Sequence, residues 1–137
     1  MDAILHTEKL CKSFSNSGMQ QHVIKNLDLE IREKDFTVIM GTSGSGKSTL
    51  LYALSGMDKP SLGRVFFGDE DISAYSNDQL ALFRRKHCGF VFQSIYLLEN
   101  MNVFDNVMTG VYTAQTAYSA RNFCPHSPLL PTVLPIS

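Results

Sequence analysis

Apolar and polar residues alternate along the first part of this chain. Leu27, Leu29 and Ile31 interleave with Asn26, Asp28 and Glu30, so His22 to Ile31 has the period-2 pattern of a strand with one buried face. Ile4 to Cys11 predicts an earlier strand, and Ser13 to Gly18, rich in Ser, Asn and Gly, predicts the turn after it. Phe36 to Met40 is a short, continuous apolar run, as expected of a strand covered on both faces. Three glycines follow within Gly41 to Gly46, and then Leu50, Leu51 and Leu54 mark a helix over Ser48 to Ser55. Asp58 to Gly63 predicts a turn and Arg64 to Phe67 a β segment. Ser76 with Gln79 three residues later forms a capping box for a helix to about Lys86. Cys88 to Phe92 predicts one more apolar strand, ending at Gln93, and Val103 to Gly110 the start of a further helix.

Beyond that point the pattern breaks. Four of the five prolines fall between Pro125 and Pro135, and Arg121 is the only Asp, Glu, Lys or Arg after Asp105. No internal repeat is visible.

Composition narrows the class. The chain has 137 residues, 44% hydrophobic and 18% charged, which suits one globular domain. A net charge of -1 gives no general field for nucleic acid or an anionic membrane, so no nucleic-acid partner is expected. The cysteines Cys11, Cys88 and Cys124 form no C-x-x-C pair and read as idle thiols in a reducing, cytosolic compartment. No run approaches the roughly 18 apolar residues of a bilayer span, so membrane association is expected only through a partner. His6, His22, His87 and His126 have no ligand-like spacing. Arg84, Arg85 and Lys86 sit where cations complement a helix C-terminus.

Gly41-Thr42-Ser43-Gly44-Ser45-Gly46-Lys47-Ser48 fits G-x-x-x-x-G-K-[ST] at every fixed position, with an apolar strand before it and a helix after it. A nucleoside triphosphate presents several anionic oxygens that must be met without filling the space around them. Glycines let the backbone wrap closely, and successive N–H groups then converge at the positive end of a helix. Lys47 adds a point charge on the outer phosphates, and the Ser48 hydroxyl suits magnesium. ATP with Mg2+ is the expected cofactor, held by Gly41, Thr42, Ser43, Gly44, Ser45, Gly46, Lys47, Ser48 and Thr49.

The loop alone does not separate transport ATPases, small kinases and GTPases. Its extension through Thr49-Leu50-Leu51, with Gly56-Met57-Asp58-Lys59-Pro60-Ser61-Leu62-Gly63, resembles the ATP-binding subunits of ABC transporters. So do Arg84-Arg85-Lys86-His87-Cys88-Gly89-Phe90-Val91-Phe92-Gln93, Leu97-Leu98 and Asp105-Asn106-Val107. Within that family the chain is most similar to the branch serving lipoprotein release, macrolide export and antimicrobial-peptide resistance, over roughly residues 3 to 111.

The resemblance implies an α/β fold, a P-loop NTPase core with a parallel sheet and an antiparallel β portion, incomplete at the C-terminus. It makes Gln93, 46 residues after Lys47, the Q-loop glutamine that completes the magnesium shell and senses the γ-phosphate. It puts Phe14 in the place of the adenine-stacking aromatic, where tyrosine is commoner; packing at the strand end is the alternative for that residue. Lys47 and Gln93 are the catalytic candidates, and Ser48 and Gln93 the metal ligands. The family usually has glycine where Lys34 stands, so a positive φ there would cost about 1–2 kcal/mol.

The family's partners are a transmembrane permease and a second ATP-binding subunit, which implies a cytoplasmic protein held at the inner face of the cell membrane. Its hydrolytic machinery also includes an Asp-Glu pair, a glycine-rich signature and a histidine. No acidic residue follows Asp105, Gly110 is the only glycine after Gly89, and His126 lies between Cys124-Pro125 and Ser127-Pro128. Residues 1–111 are therefore expected to be the N-terminal part of an ABC-type ATP-binding domain, and 112–137 a Pro-rich tail without family resemblance or order. The simplest account is a truncated or frame-shifted reading of a longer gene; a short variant with its own tail is the other. The expected function is an ATP-hydrolysing transporter subunit coupled to a permease. The alternative is a non-catalytic nucleotide-binding fragment, and a small phosphate-loop kinase is a third reading that gives Gln93 no role.

Overall fold

The computed structural model describes residues 3–16, 18–114 and 132–135. Backbone contacts divide the chain into two units, one of residues 1–76 and 127–137 and the other of residues 77–126.

Two long strands, β1 (Ala3–Asn16) and β2 (Met19–Arg32), dominate the first unit. With β4 (Leu62–Phe67) and β5 (Glu70–Asp71) they form an antiparallel sheet in the order β2-β1-β4-β5. This is the expected antiparallel portion. Its turn is tighter than the sequence suggested, because Ser13–Asn16 continue the ladder with Met19 to His22. Asp71 accepts from the Ser73 backbone N–H at 2.9 Å and so starts a single 3-10 turn, Ile72–Ala74.

Neither long strand keeps one phase of alternation. Leu5 and Thr7 are turned inward on β1 but so are Leu10 and Lys12, and the ladder shifts between Thr7 and Leu10. Lys9 at φ 47° and Asn26 at φ 45° mark the irregularity on the two strands. Adding a residue to one side of a ladder moves all later side chains to the opposite face. Buried Thr7 is satisfied within this region: its Oγ1 donates to the Leu27 carbonyl at 2.9 Å and accepts from the Leu29 N–H at 3.0 Å. Leu10, Ile24, Leu29 and Val65 form the buried apolar positions of the sheet.

β3 (Thr37–Met40) pairs in parallel with β6 (Thr132–Pro135). Between β2 and β3, Lys34 has φ 70°, the left-handed conformation expected from the glycine that the resemblance sets at this position. Helix α1 (Lys47–Leu54) follows β3 and buries Leu50, Ala53 and Leu54, spaced as one helical face.

The second unit holds α2 (Asn77–His87) and α3 (Val103–Ala114), which touch each other. Arg84, Arg85, Lys86 and His87 fill the last turn of α2, as the charge pattern predicts. Asn102 Oδ1 accepts from the Asp105 N–H at 2.8 Å and caps the start of α3. The predicted strand at Cys88 to Phe92 does not form. Among the described residues no strand pairs with it, and a short apolar run cannot satisfy its backbone as a strand alone. Phe90 stacks on Phe92 at 5.8 Å, and Phe92 meets Tyr96 edge-on at 5.3 Å. Of the tail expected to lack order, α3 reaches Ala114 and Thr132–Pro135 are paired; residues 115–131 lie outside the described set. No helix among the described residues is long and apolar enough to cross a membrane.

Candidate functional site

The glycine-rich loop joins the end of β3 to the start of α1, the strand–loop–helix context its motif requires. Gly44 and Gly46 take φ 79° and 94°, a region that costs a residue with a Cβ about 1–2 kcal/mol. Ser45 N–H donates to the Thr42 carbonyl at 3.2 Å, and Leu50 N–H to the Gly46 carbonyl at 2.8 Å. No side chain caps α1, whose N-cap is Gly46. The N–H groups of its first turn therefore have no partner within the helix.

Lys47 Nζ donates to the carbonyls of Gly41 at 2.9 Å and Thr42 at 2.7 Å, which bends the ammonium back over the loop. Ser45 Oγ is buried and has no hydrogen-bond partner. A buried hydroxyl left without a partner is uncommon in a folded chain, and this one stands two residues before Lys47 in the loop. Ser48 is exposed at the first turn of α1, and Thr49 follows it half-buried. Convergent donors, a positive charge and an exposed hydroxyl fit a triphosphate and its divalent cation.

Phe14 lies on β1 in the same unit and is 43% exposed. Its place relative to the loop follows from the β1–β2 ladder. Lys12 pairs with Ile24 and Ser13 with His22, so Val23 is the extra residue of a bulge between them. Val23 Cγ1 would lie 2.5 Å from a Cβ built on Gly46. The loop thus abuts β2 directly across from the Lys12–Ser13 step, with Phe14 the next residue along β1. Gln93 belongs to the second unit, in an exposed segment after α2.

Sequence reasoning missed two elements of this neighbourhood. One is the Val23 bulge. The other is Lys12, 8% exposed, whose Nζ pairs with Asp58 at 2.6 Å and donates to the Lys59 carbonyl at 2.7 Å. A lysine two residues after inward-facing Leu10 was the available signal, since a strand places both on one face. Among the described residues no cluster of His, Cys, Asp and Glu could hold a metal ion by itself.

Strand, glycine loop and uncapped helix together define a phosphate-loop nucleotide-binding fold. The family pattern described as ABC transporter matches residues 24–134, and the chain belongs to that family. It is 40% identical over 106 residues to the lipoprotein-releasing system ATP-binding protein LolD of Idiomarina loihiensis, covering 77% of this chain and 46% of that one. It is 39% identical over 118 residues to the macrolide export ATP-binding/permease protein MacB of Brucella abortus, covering 86% of this chain and 18% of that one. The bacitracin export ATP-binding protein BceA of Halalkalibacterium halodurans is 39% identical over 106 residues, 77% of this chain and 42% of its own.

Among solved structures, the dimeric MJ0796, a bacterial ABC transporter cassette, superposes with a TM-score of 0.74 at 32% identity, covering 79% of this chain and 47% of that one. Its post-hydrolysis state bound to ADP and Pi gives 0.75 at 32% identity, covering 84% and 50%. The chain therefore spans half or less of the length of these relatives.

Proposed function

We propose that this chain binds magnesium-ATP at Gly41–Thr49 and serves as the nucleotide-holding part of an ABC-type ATP-binding subunit. The observation that carries the reading is the loop itself, where two left-handed glycines lead into an uncapped helix start and the Lys47 ammonium is held on the loop carbonyls of Gly41 and Thr42. Backbone N–H groups of Gly44, Gly46, Lys47 and Ser48 hold the phosphates, Lys47 neutralises the outer ones, and Ser48 presents its hydroxyl to the cation. Phe14 stacks on the base, and Gln93 takes the Q-loop role that its position in the sequence gives it. Magnesium bound beside Ser48 would supply neutralising charge to the phosphate oxygens. The partners are a transmembrane permease and a second ATP-binding cassette, in keeping with the names of the relatives and the dimeric state of MJ0796. The place of action is the cytoplasmic face of the membrane, reached through the permease.

A second reading is a nucleotide-binding fragment that does not turn ATP over. It is favoured by one observation: no acidic residue follows Asp105 to orient and deprotonate water. Titration of a fluorescent ATP analogue in magnesium tests the shared core of both readings. Lys47→Ala should weaken binding by about 2–3 kcal/mol, the loss of charge-assisted hydrogen bonds. Equal affinities of two folded proteins would remove the loop assignment.

A further inference from the structure

One buried charge beside the proposed base site has no part in the reading above. Lys12 is on the inward side of β1 and only 8% exposed. Its ammonium is fixed from three sides: Asp58 Oδ2 lies at 2.6 Å, the Lys59 carbonyl at 2.7 Å, and the centroid of the Phe14 ring at 5.3 Å. Burying an ammonium is unfavourable unless its donors are met, so this geometry holds the lysine in one place.

Asp58 and Lys59 belong to the turn that follows α1. The same turn is stitched to β1 next to Phe14. Ser61 N–H donates to the Cys11 carbonyl at 2.8 Å. Ser61 Oγ accepts from the Ser13 N–H at 3.0 Å and donates to the Ser13 carbonyl at 3.3 Å. One end of α1 thus carries the phosphate loop, while its other end grips the strand that carries the aromatic ring. Phe14 itself remains 43% exposed, so the ammonium closes one part of the ring and leaves ring surface open.

We infer that Lys12 is a positioning residue for the nucleotide base. It holds Phe14 at a fixed distance from the phosphate loop through the Asp58–Lys59 turn. Its charge also draws on the π density of the ring, which favours an offset stack with an electron-rich purine on the open side. This inference rests on the reading that Phe14 carries the base. Its consequence is specific: Lys12 matters for ligands with a base and not for the phosphate chain alone.

The experiment compares dissociation constants for ATP and for inorganic tripolyphosphate, both with magnesium, by competition against a fluorescent ATP analogue on the full chain. The tripolyphosphate constant divided by the ATP constant isolates the gain from the base. Lys12→Met should lower that ratio by about threefold or more, the range of a partly desolvated cation–π contact, and leave tripolyphosphate binding unchanged. Lys12→Arg should retain most of the ratio. In a Phe14→Ala background, Lys12→Met should have no further effect on it. A ratio unchanged by Lys12→Met but lowered by Phe14→Ala overturns the role of Lys12 and leaves the base site standing. A ratio unchanged by Phe14→Ala overturns the stacking reading and the inference with it. Tripolyphosphate binding unaffected by Lys47→Ala would instead remove the phosphate loop. Should Lys12→Met not fold, Asp58→Asn releases the ammonium at a carboxylate that is 41% exposed. The ratio should fall there too, and an unchanged value would overturn the proposal.

Discussion

Gly46 lies against Val23 so closely that a Cβ on the glycine would stand 2.5 Å from Val23 Cγ1. The contact joins the phosphate loop to the bulge of β2, and it forbids a side chain at Gly46 on two counts, since φ there is also 94°. Gly46→Ala should destabilise the fold by about 2–4 kcal/mol, part from the left-handed backbone and part from the clash. Urea unfolding of the single and double mutants separates the two. Pairing it with Val23→Ala should recover the clash but not the backbone cost, and strict additivity would show that the two residues do not touch.

Lys34 occupies a turn at φ 70° with its side chain exposed. Lys34→Gly should raise stability by about 0.5–1 kcal/mol, the left-handed penalty less the greater freedom of glycine in the unfolded chain. Nucleotide affinity should not change. A lower urea midpoint would mean that the lysine side chain contributes more than its backbone costs.

Asn106 organises the loop before α3. Its Oδ1 accepts from the Leu98 N–H at 2.8 Å, and its Nδ2 faces the carbonyls of Leu98, Met101 and Asn102 at 3.0–3.1 Å. Asn106→Ala leaves these groups to water and should cost about 1–2 kcal/mol. The local sign is faster hydrogen exchange at the Leu98 amide, while β1 and β2 amides keep their protection. Uniform loss of protection would show that the bonds belong to the global fold rather than to this loop.

Burial pushes the Cys88 thiol above its ordinary range, and the Arg84 guanidinium offsets this only in part. The folded chain therefore holds that proton more tightly than the unfolded one. Stability from this source is complete below about pH 8.5, the free-thiol value, and is lost as the pH rises through the raised folded value. Alkylation of Cys88 by iodoacetamide at pH 8.5 should be slower in the native chain than in urea, and the urea midpoint should fall above that pH less steeply in Cys88→Ser. Equal alkylation rates would show that the thiol is not shielded.

The sequence by itself determined the phosphate loop and the elements flanking it. Eight consecutive residues, Gly41 to Ser48, encode their own backbone conformations and donors, and the one-sided burial of a strand or helix writes its period into neighbouring positions. The left-handed turn at Lys34 was legible only through the resemblance, which sets glycine at that position; the lysine itself carries no such signal. Tertiary structure alone decided which residues meet across the ladder. The irregularities at Lys9 and Asn26 reset the register, and the bulge at Val23 aims that side chain at Gly46. Only then do Lys12, Asp58 and Phe14 come together, from positions up to 46 residues apart. Cys88 to Phe92 shows the same limit from the other side: an apolar run predicts a strand, but a strand needs another backbone beside it, and local pattern does not say whether one is there.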